Sequence, residues 1–277
     1  MNAVPMPSPR AAHAEAMLAA LAEARLVPTP SSVDPDLSLE QAYAIADEIR
    51  SLRIARGETP RGYKIGFTNR GIWDRYRVHA PIWAPIWDTT LESLDDERNE
   101  AVVSLAPFAQ PRLEPEVMFG FAATPQAGMG ERELAACIDW VAHGYEIVHT
   151  HFADWRFGAA DTVVDFALHG RLFVGRRVPI ARFADPAAEL ARLTVTLTCE
   201  GREVETGHAE IVLGGPLTAL RLWVDAMAAQ PHRWPIRAGD IVSTGTITDA
   251  APMRPGEHWL TRLDDDRLAP AGLRTTA

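Results

Sequence analysis

The chain is poor in cysteine, in long apolar runs and in positive charge, and each shortage closes off a class of function. Among 277 residues only Cys137 and Cys199 carry thiols, and neither sits in a CxxC or a Cys/His ligand spacing. A disulfide framework and a thiolate zinc site are therefore excluded, and both cysteines read as core thiols. No segment approaches the roughly 18 uninterrupted apolar residues of a membrane span. The opening MNAVPMPSPR has no basic region leading into an apolar run, so the expectation is a soluble, cytoplasmic protein. Lysine and arginine number 27 against 37 acidic residues, for a net charge of −10. That field repels nucleic acid and anionic lipid, so neither nucleic acid nor membrane is an expected partner. GxSxG, HExxH, P-loop and dinucleotide-binding fingerprints are absent in the context they require, which removes several common enzyme classes.

What remains is a chain that is 47% hydrophobic and can bury a large core. A first helix is predicted around Ala11 to Arg25, then a Pro/Ser/Asp-rich connector from Pro28 to Asp36. Ser38 and Gln41 form a plausible capping box for a second helix carrying Leu39, Ala42, Tyr43, Ala46, Ile49 and Leu52, with Gly57 as its stop. Residues 1–60 thus read as a helical N-terminal subdomain and 61–277 as a second, strand-rich domain. Short strands are predicted at Tyr63–Phe67, Ala101–Leu105, Leu113–Phe121, Tyr145–Val148, Arg171–Val174 and Leu193–Cys199, the last turning at Glu200-Gly201 into Arg202–Glu205. Two helices interrupt them, Glu131–His143 stopped by Gly144, and Leu217–Ala229 opened by Pro216. Strands and helices do not alternate regularly, so the fold class is α+β.

In Arg112-Leu113-Glu114-Pro115-Glu116-Val117 a strand sends both glutamates to one face, where they can reach one ion. Pro115 cannot donate to a ladder, which suggests an edge or a bulge. An isolated Glu-x-Glu is more often a solvated strand face. Glu146 is odder, because it lies in Tyr145-Glu146-Ile147-Val148, where a buried carboxylate needs a compensating charge, an Arg, a Lys or a cation. Three carboxylates meeting at one point would repel one another without a cation, and all-oxygen donors favour Mg²⁺, Mn²⁺ or Ca²⁺ over zinc. Lys64 shares a strand face with Gly66, which leaves room for a ligand beside the ammonium, although a solvated face is again the plainer reading. Gly245-Thr246 forms a small-residue turn that can offer N–H groups and a hydroxyl to a carboxylate. A second arrangement joins Glu146 with His149 and His151 as a His/carboxylate iron-type site, but strand alternation puts the histidines on the opposite face.

Taken in order, GYKIGFT (62–68), PRLEPEVMFGF (111–121), YEIV (145–148), DTVVDF (161–166), TGHAEIVLGGPLTAL (206–220) and AGDIVSTGTIT (238–248) resemble the 2-keto-4-pentenoate hydratase and 4-oxalocrotonate decarboxylase branch of the fumarylacetoacetate hydrolase superfamily. The resemblance spans almost the whole chain. It implies a helical N-terminal portion followed by a mixed β-sandwich roll, with Mg²⁺ or Mn²⁺ held by Glu114, Glu116 and Glu146. It places Lys64 beside the substrate, with Glu114 as the other catalytic residue, and Gly245 and Thr246 near the substrate carboxylate. His149 and Asp165 are further expected substrate-binding residues. The implied activity is a divalent-metal-dependent hydratase (lyase) of a small 2-hydroxydienoate or 2-oxo-enoate acid in aromatic-compound catabolism, passing through a metal-stabilised enolate, in a homo-oligomer. Decarboxylation, acylpyruvate-type C–C hydrolysis and a catalytically silent binding protein on the same fold are the alternatives.

The sequence also departs from the pattern. Hydratases of the branch follow the third acidic residue with Ile-Val-Asp-Ser-Arg, where this chain has Ile147-Val148-His149-Thr150-His151. The usual Ala-Asp-Asn-Ala-Ser-Ser reads Val164-Asp165-Phe166-Ala167-Leu168-His169. Exchanging polar for apolar positions changes which substrate tail is accepted. With Trp73, Tyr76, His79, Trp83 and Trp87 clustered between Lys64 and the glutamates, a larger or less polar tail than pentenoate is expected, although clustered tryptophans are more often core.

Overall fold

The computed structural model describes residues 9–94, 97–231 and 234–277. Ser38 caps the helix Leu39–Ala55 by accepting from the Gln41 N–H at 3.2 Å, while the Gln41 side chain accepts from the Ser38 N–H at 2.8 Å. That helix packs on the preceding helix Pro9–Glu23. Met17, Leu18, Tyr43, Ile45 and Ile49 share one continuous apolar core with sheet residues Tyr63, Ile65 and Phe119 and with the helix Pro216–Ala229.

Among the described residues there are fourteen strands. They are β1 Pro60–Gly66, β2 Ile82–Trp87, β3 Leu91–Ser93, β4 Glu100–Ser104, β5 Arg112–Phe121, β6 Ile138–Val148, β7 His169–Val174, β8 Val178–Pro179, β9 Thr194–Cys199, β10 Arg202–His208, β11 Ile241–Thr246, β12 Ala251–Pro252, β13 His258–Leu263 and β14 Ala271–Thr276. A nine-stranded sheet runs β2-β1-β11-β5-β6-β7-β3, with β12 on β5 and β8 on β6, and a five-stranded sheet runs β10-β9-β13-β14-β4. Both are mixed, with β1/β11, β3/β7 and β4/β14 parallel. Leu113, Ile147 and Phe173 of the large sheet meet Leu197, Trp259 and Leu273 of the small one in a separate core. This is the expected α+β class with curled mixed sheets. Among the described residues no helix is long and apolar enough to cross a membrane.

One predicted element is different. Helix Glu131–His143 shrinks to Glu131–Ala135, and Ile138–Val148 is strand throughout. Val141, Ala142, His143 and Gly144 are buried together, with β5 on one side and β8 at Val141 and β7 at Gly144 on the other, so both faces are buried and the period-2 signal vanishes. Gly144 stops nothing. A Cβ there would lie 2.0 Å from the Phe173 carbonyl oxygen, so the glycine lets two strands close. Cys137 is buried just before this strand and Cys199 is half-buried, both as free thiols.

Candidate metal centre and cleft

The glutamates are brought together by register. Glu114 on β5 pairs directly with Glu146 on β6, which sets their Cβ atoms about 5 Å apart. Glu116 follows on the same face. Carboxylate oxygens of Glu114, Glu116 and Glu146 lie within 4.8 Å of one another, the one such cluster among the described residues. Pro115 sits in a central strand rather than at an edge, and the predicted irregularity lies opposite it, in β11. The β5/β11 register slips between Ser243 and Thr246, and the Ile247 N–H returns to the Pro115 carbonyl at 3.1 Å. The slip is made at Gly245, whose φ is +100° and whose Cβ, if present, would lie 2.0 Å from Thr68 Oγ1.

Each buried carboxylate is held by different partners. Glu116 accepts from the Ser243 hydroxyl and from the Gly245 N–H at 2.9 Å, both on Oε2, leaving buried Oε1 without a partner. Glu146 Oε1 lies 2.6 Å from His169 Nδ1, and its Oε2 lies 3.2 Å from Lys64 Nζ. Lys64 is itself buried, which dismisses a solvated strand face, and its Nζ donates to the Ala167 carbonyl at 2.9 Å.

Three carboxylates thus face one ammonium, and the ionisation of all four is displaced. Burial pushes Glu116 up to about 8, with repulsion from Glu146 adding to it. Burial likewise raises Glu146 to about 7 against the pull of Lys64. Glu114 is raised well above the ordinary carboxylate value by burial and by its two acidic neighbours. Burial opposes the charge on Lys64, yet Glu146, Glu114 and Glu116 outweigh it and hold its pKa above that of ordinary lysine. The donor set is oxygen only, acidic, and includes an orphaned buried oxygen, so it fits a hard divalent cation such as Mg²⁺ or Mn²⁺.

A pH dependence follows. Between the unfolded carboxyl value of about 4.3 and the raised folded values, these three carboxyls hold more protons folded than unfolded, so their contribution to stability falls as pH rises, while buried His143, His149 and His169, held neutral, contribute the opposite slope below the unfolded histidine value of about 6.5. The expected melting temperature of the metal-free protein therefore declines only above the histidine range, from about pH 7 to about pH 8, where Glu116 at about 8 and Glu146 at about 7 lose their protons, and Mg²⁺ or Mn²⁺ reverses the decline while releasing protons. Thermal melts with and without metal, and calorimetry in buffers of different ionisation enthalpy, check this. A metal-free melting temperature that rises over that range contradicts it.

His169 was visible in the sequence only as an odd residue after Phe166-Ala167-Leu168. Its Nε2 lies 2.8 Å from Thr90 Oγ1, and burial together with the charges of Lys64, Arg53 and Arg171 pushes its pKa well below the ordinary value. A neutral ring therefore donates from Nδ1 to Glu146 and accepts the Thr90 hydroxyl at Nε2. His169→Ala is expected to weaken metal binding by about 10- to 100-fold, as loss of a group that orients a ligand does. Partial recovery in His169→Asn, whose amide replaces Nδ1, distinguishes positioning from loss of packing in a metal titration.

The other expected binding residues are distributed differently. Lys64, Glu114, Gly245 and Thr246 line a cleft of about 250 Å³ that opens over the carboxylates. The Gly245 N–H is committed to Glu116, and the Thr246 hydroxyl donates to the Thr248 carbonyl at 2.8 Å. They shape the centre rather than offering free donors. His149 and Asp165 do not line the cleft. Asp165 is buried and ties the segment after β6 by accepting from the Thr150 hydroxyl at 2.8 Å and the His151 N–H at 3.0 Å, with His151 Nδ1 at 2.6 Å. His149 is buried beside His151, its ring centroid 4.7 Å away and its pKa pushed down to about 3 by burial. Neither histidine joins the glutamate cluster, so the His/carboxylate site is not formed. Of the tryptophan cluster, Trp83 and Trp87 are core, and Tyr76 alone reaches the cleft. Arg112, Trp155 and Phe157 line it too and carry no periodic signal that singles them out.

No family profile matches the chain. It is 29% identical over 243 residues to the 2-hydroxyhexa-2,4-dienoate hydratase of Comamonas testosteroni, covering 87% of this chain and 88% of that one. It is 26% identical over 252 residues to the 2-keto-4-pentenoate hydratase of Paraburkholderia xenovorans strain LB400, covering 91% and 90%. The structure of 4-oxalocrotonate decarboxylase from Pseudomonas putida G7, complexed with magnesium and adipate, superposes with a TM-score of 0.87 over 96% of this chain and 97% of that one, at 25% identity.

Proposed function

We propose that this chain, homologous to the hydratases and decarboxylases of the fumarylacetoacetate hydrolase superfamily, is a divalent-metal-dependent lyase that hydrates a 2-hydroxydienoate or 2-oxo-enoate acid. The observation that carries this reading is the convergence of Glu114, Glu116 and Glu146 within 4.8 Å beneath a cleft that also holds Lys64. In it, the three glutamates hold Mg²⁺ or Mn²⁺, residues 1–60 form the helical portion and 61–277 the catalytic portion. A cytoplasmic homo-oligomer in aromatic-compound catabolism belongs to the same reading.

When bound, the cation acts as a Lewis acid toward the oxygens of a 2-oxo acid. The protein's own part follows from the protonation states. Lys64 stays an ammonium, with Ala167 and Glu146 taking two of its donor directions, and the third is left to orient or protonate the substrate. It is an acid and a charge, not a base. Glu114 alone of the three carboxylates lines the cleft, so it is the one that meets the reacting end and can take or return a proton there. Decarboxylation is the second reading, favoured by the similarity to the decarboxylase structure.

An ultraviolet assay with Mg²⁺ or Mn²⁺ against 2-hydroxydienoates, 2-oxo-enedioates and acylpyruvates, with product identification, tests both. A single hydroxy-oxo acid is the expected product. Released CO₂ assigns the second reading, two acids assign C–C hydrolysis, and a metal-loaded protein inert to the whole panel overturns the enzymatic reading.

A further inference from the structure

The cleft changes character along its length. Its floor begins at the Glu114/Glu146 pair and continues, two residues on, at the Arg112/Val148 pair, about 7 Å farther along the strands. Over that second pair the wall is aromatic. The Arg112 guanidinium lies on the Trp155 ring at 4.1 Å. Trp155 and Phe157 follow at 6.1 Å, Phe157 and Tyr76 stack at 6.0 Å, and Tyr76 meets Phe67 at 4.9 Å. Four cleft residues have positive φ without being glycine: Phe67 at 55°, Trp155 at 56°, Ala167 at 48° and Leu168 at 66°. Such backbone costs on the order of 1–3 kcal/mol per residue and persists where the surroundings over-determine it, which happens disproportionately at ligand sites. Phe67 and Trp155 put that cost on the aromatic wall itself, while Ala167 carries it where its carbonyl accepts from Lys64 at the acid head.

Resting on the lyase reading above, we propose that this outer half is a tail subsite, and that the substrate is a 2-oxo-enoate or 2-hydroxydienoate bearing an apolar ring at the end far from its carboxylate. With the acid head at Glu114 and Lys64, the tail runs over Arg112 and Val148 and its ring packs against Trp155 and Phe157. Rings offer each other flat apolar area and favourable edge or offset contacts. A second carboxylate would share the cleft with the acidic lining residues Glu205 and Asp249, and the cations beside the aromatic wall, Arg112 and Arg75, already lie over the Trp155 and Tyr76 rings.

The test uses the full chain loaded with Mg²⁺ and three unreactive saturated acids in a calorimeter: 2-oxopentanoate, 2-oxohexanedioate and 2-oxo-6-phenylhexanoate. The phenyl acid is expected to bind at least about tenfold more tightly than 2-oxopentanoate, as burial of a ring implies. In Trp155→Leu and in Phe157→Leu, which keep an apolar side chain but remove the flat face, that ratio should fall several-fold. Tightest binding of the dicarboxylate, equal binding of phenyl and short acids, or a ratio unchanged in both variants overturns the tail subsite and leaves the lyase reading standing. No binding of any 2-oxo acid by the metal-loaded protein overturns both.

Discussion

Glu116→Gln is expected to lower the affinity for Mg²⁺ or Mn²⁺ by at least about 100-fold, since losing an orienting group alone costs about 10- to 100-fold, while leaving the fold intact and raising the melting temperature of the metal-free protein. The two effects have one origin. Without a cation Glu116 is a buried acid crowded by Glu146 and Glu114, with one oxygen unpartnered. Glutamine keeps its shape, its amide oxygen can still accept from Ser243 and the Gly245 N–H, and its NH₂ can donate to a neighbouring carboxylate. A repulsion becomes a hydrogen bond, worth about 1–3 kcal/mol when one partner is charged. Calorimetric metal titration and melts with and without metal measure both. Unchanged metal affinity in Glu116→Gln and in Glu114→Gln together would remove the metal site.

Much of this centre can be read from one dimension because strand alternation is a local rule. Glu114 and Glu116 share a face as their spacing requires, and Glu146 was conspicuous because a carboxylate flanked by Tyr145 and Ile147 has no cheap place to go. The turn at Glu200-Gly201 was equally legible, with φ of 50° and 73° at its two residues. Convergence itself was not. That Glu146 stands opposite Glu114, and not one residue away, is a matter of register between strands separated by 16 residues, which no local pattern encodes. His169 was unreadable for the same reason: its partners Glu146 and Thr90 lie far away in sequence. The over-long helix at Glu131–His143 failed where burial on both faces erased the period. Trp155 and Phe157 sit in a loop whose shape comes from positive-φ backbone at non-glycine residues, and the sequence announces such conformations only when glycine supplies them.

Lys64→Met should show that the lysine serves the chemistry and the charge balance but not the cation. Removing a donor aimed at a reacting group typically costs about 10²- to 10³-fold in kcat, and a loss of that order is expected here. Metal affinity should hold or rise, because the departing ammonium competes with a cation for Glu146 at 3.2 Å. The metal-free variant, by contrast, should be destabilised, since stripping one partner from a buried ion pair costs about 3–5 kcal/mol. The cost must depend on pH. Glu146, already raised to about 7, moves higher without Lys64, so near pH 5 it is protonated and the penalty is small. Near pH 8 the full penalty for a buried carboxylate appears. Lys64→Arg should not restore activity, because a planar guanidinium does not fit a buried position whose Nζ bonds Ala167 at 2.9 Å. Denaturant melts at the two pH values, metal titration and steady-state kinetics separate these effects. A variant that keeps wild-type kcat, or loses metal affinity in step with activity, would place Lys64 outside the reaction.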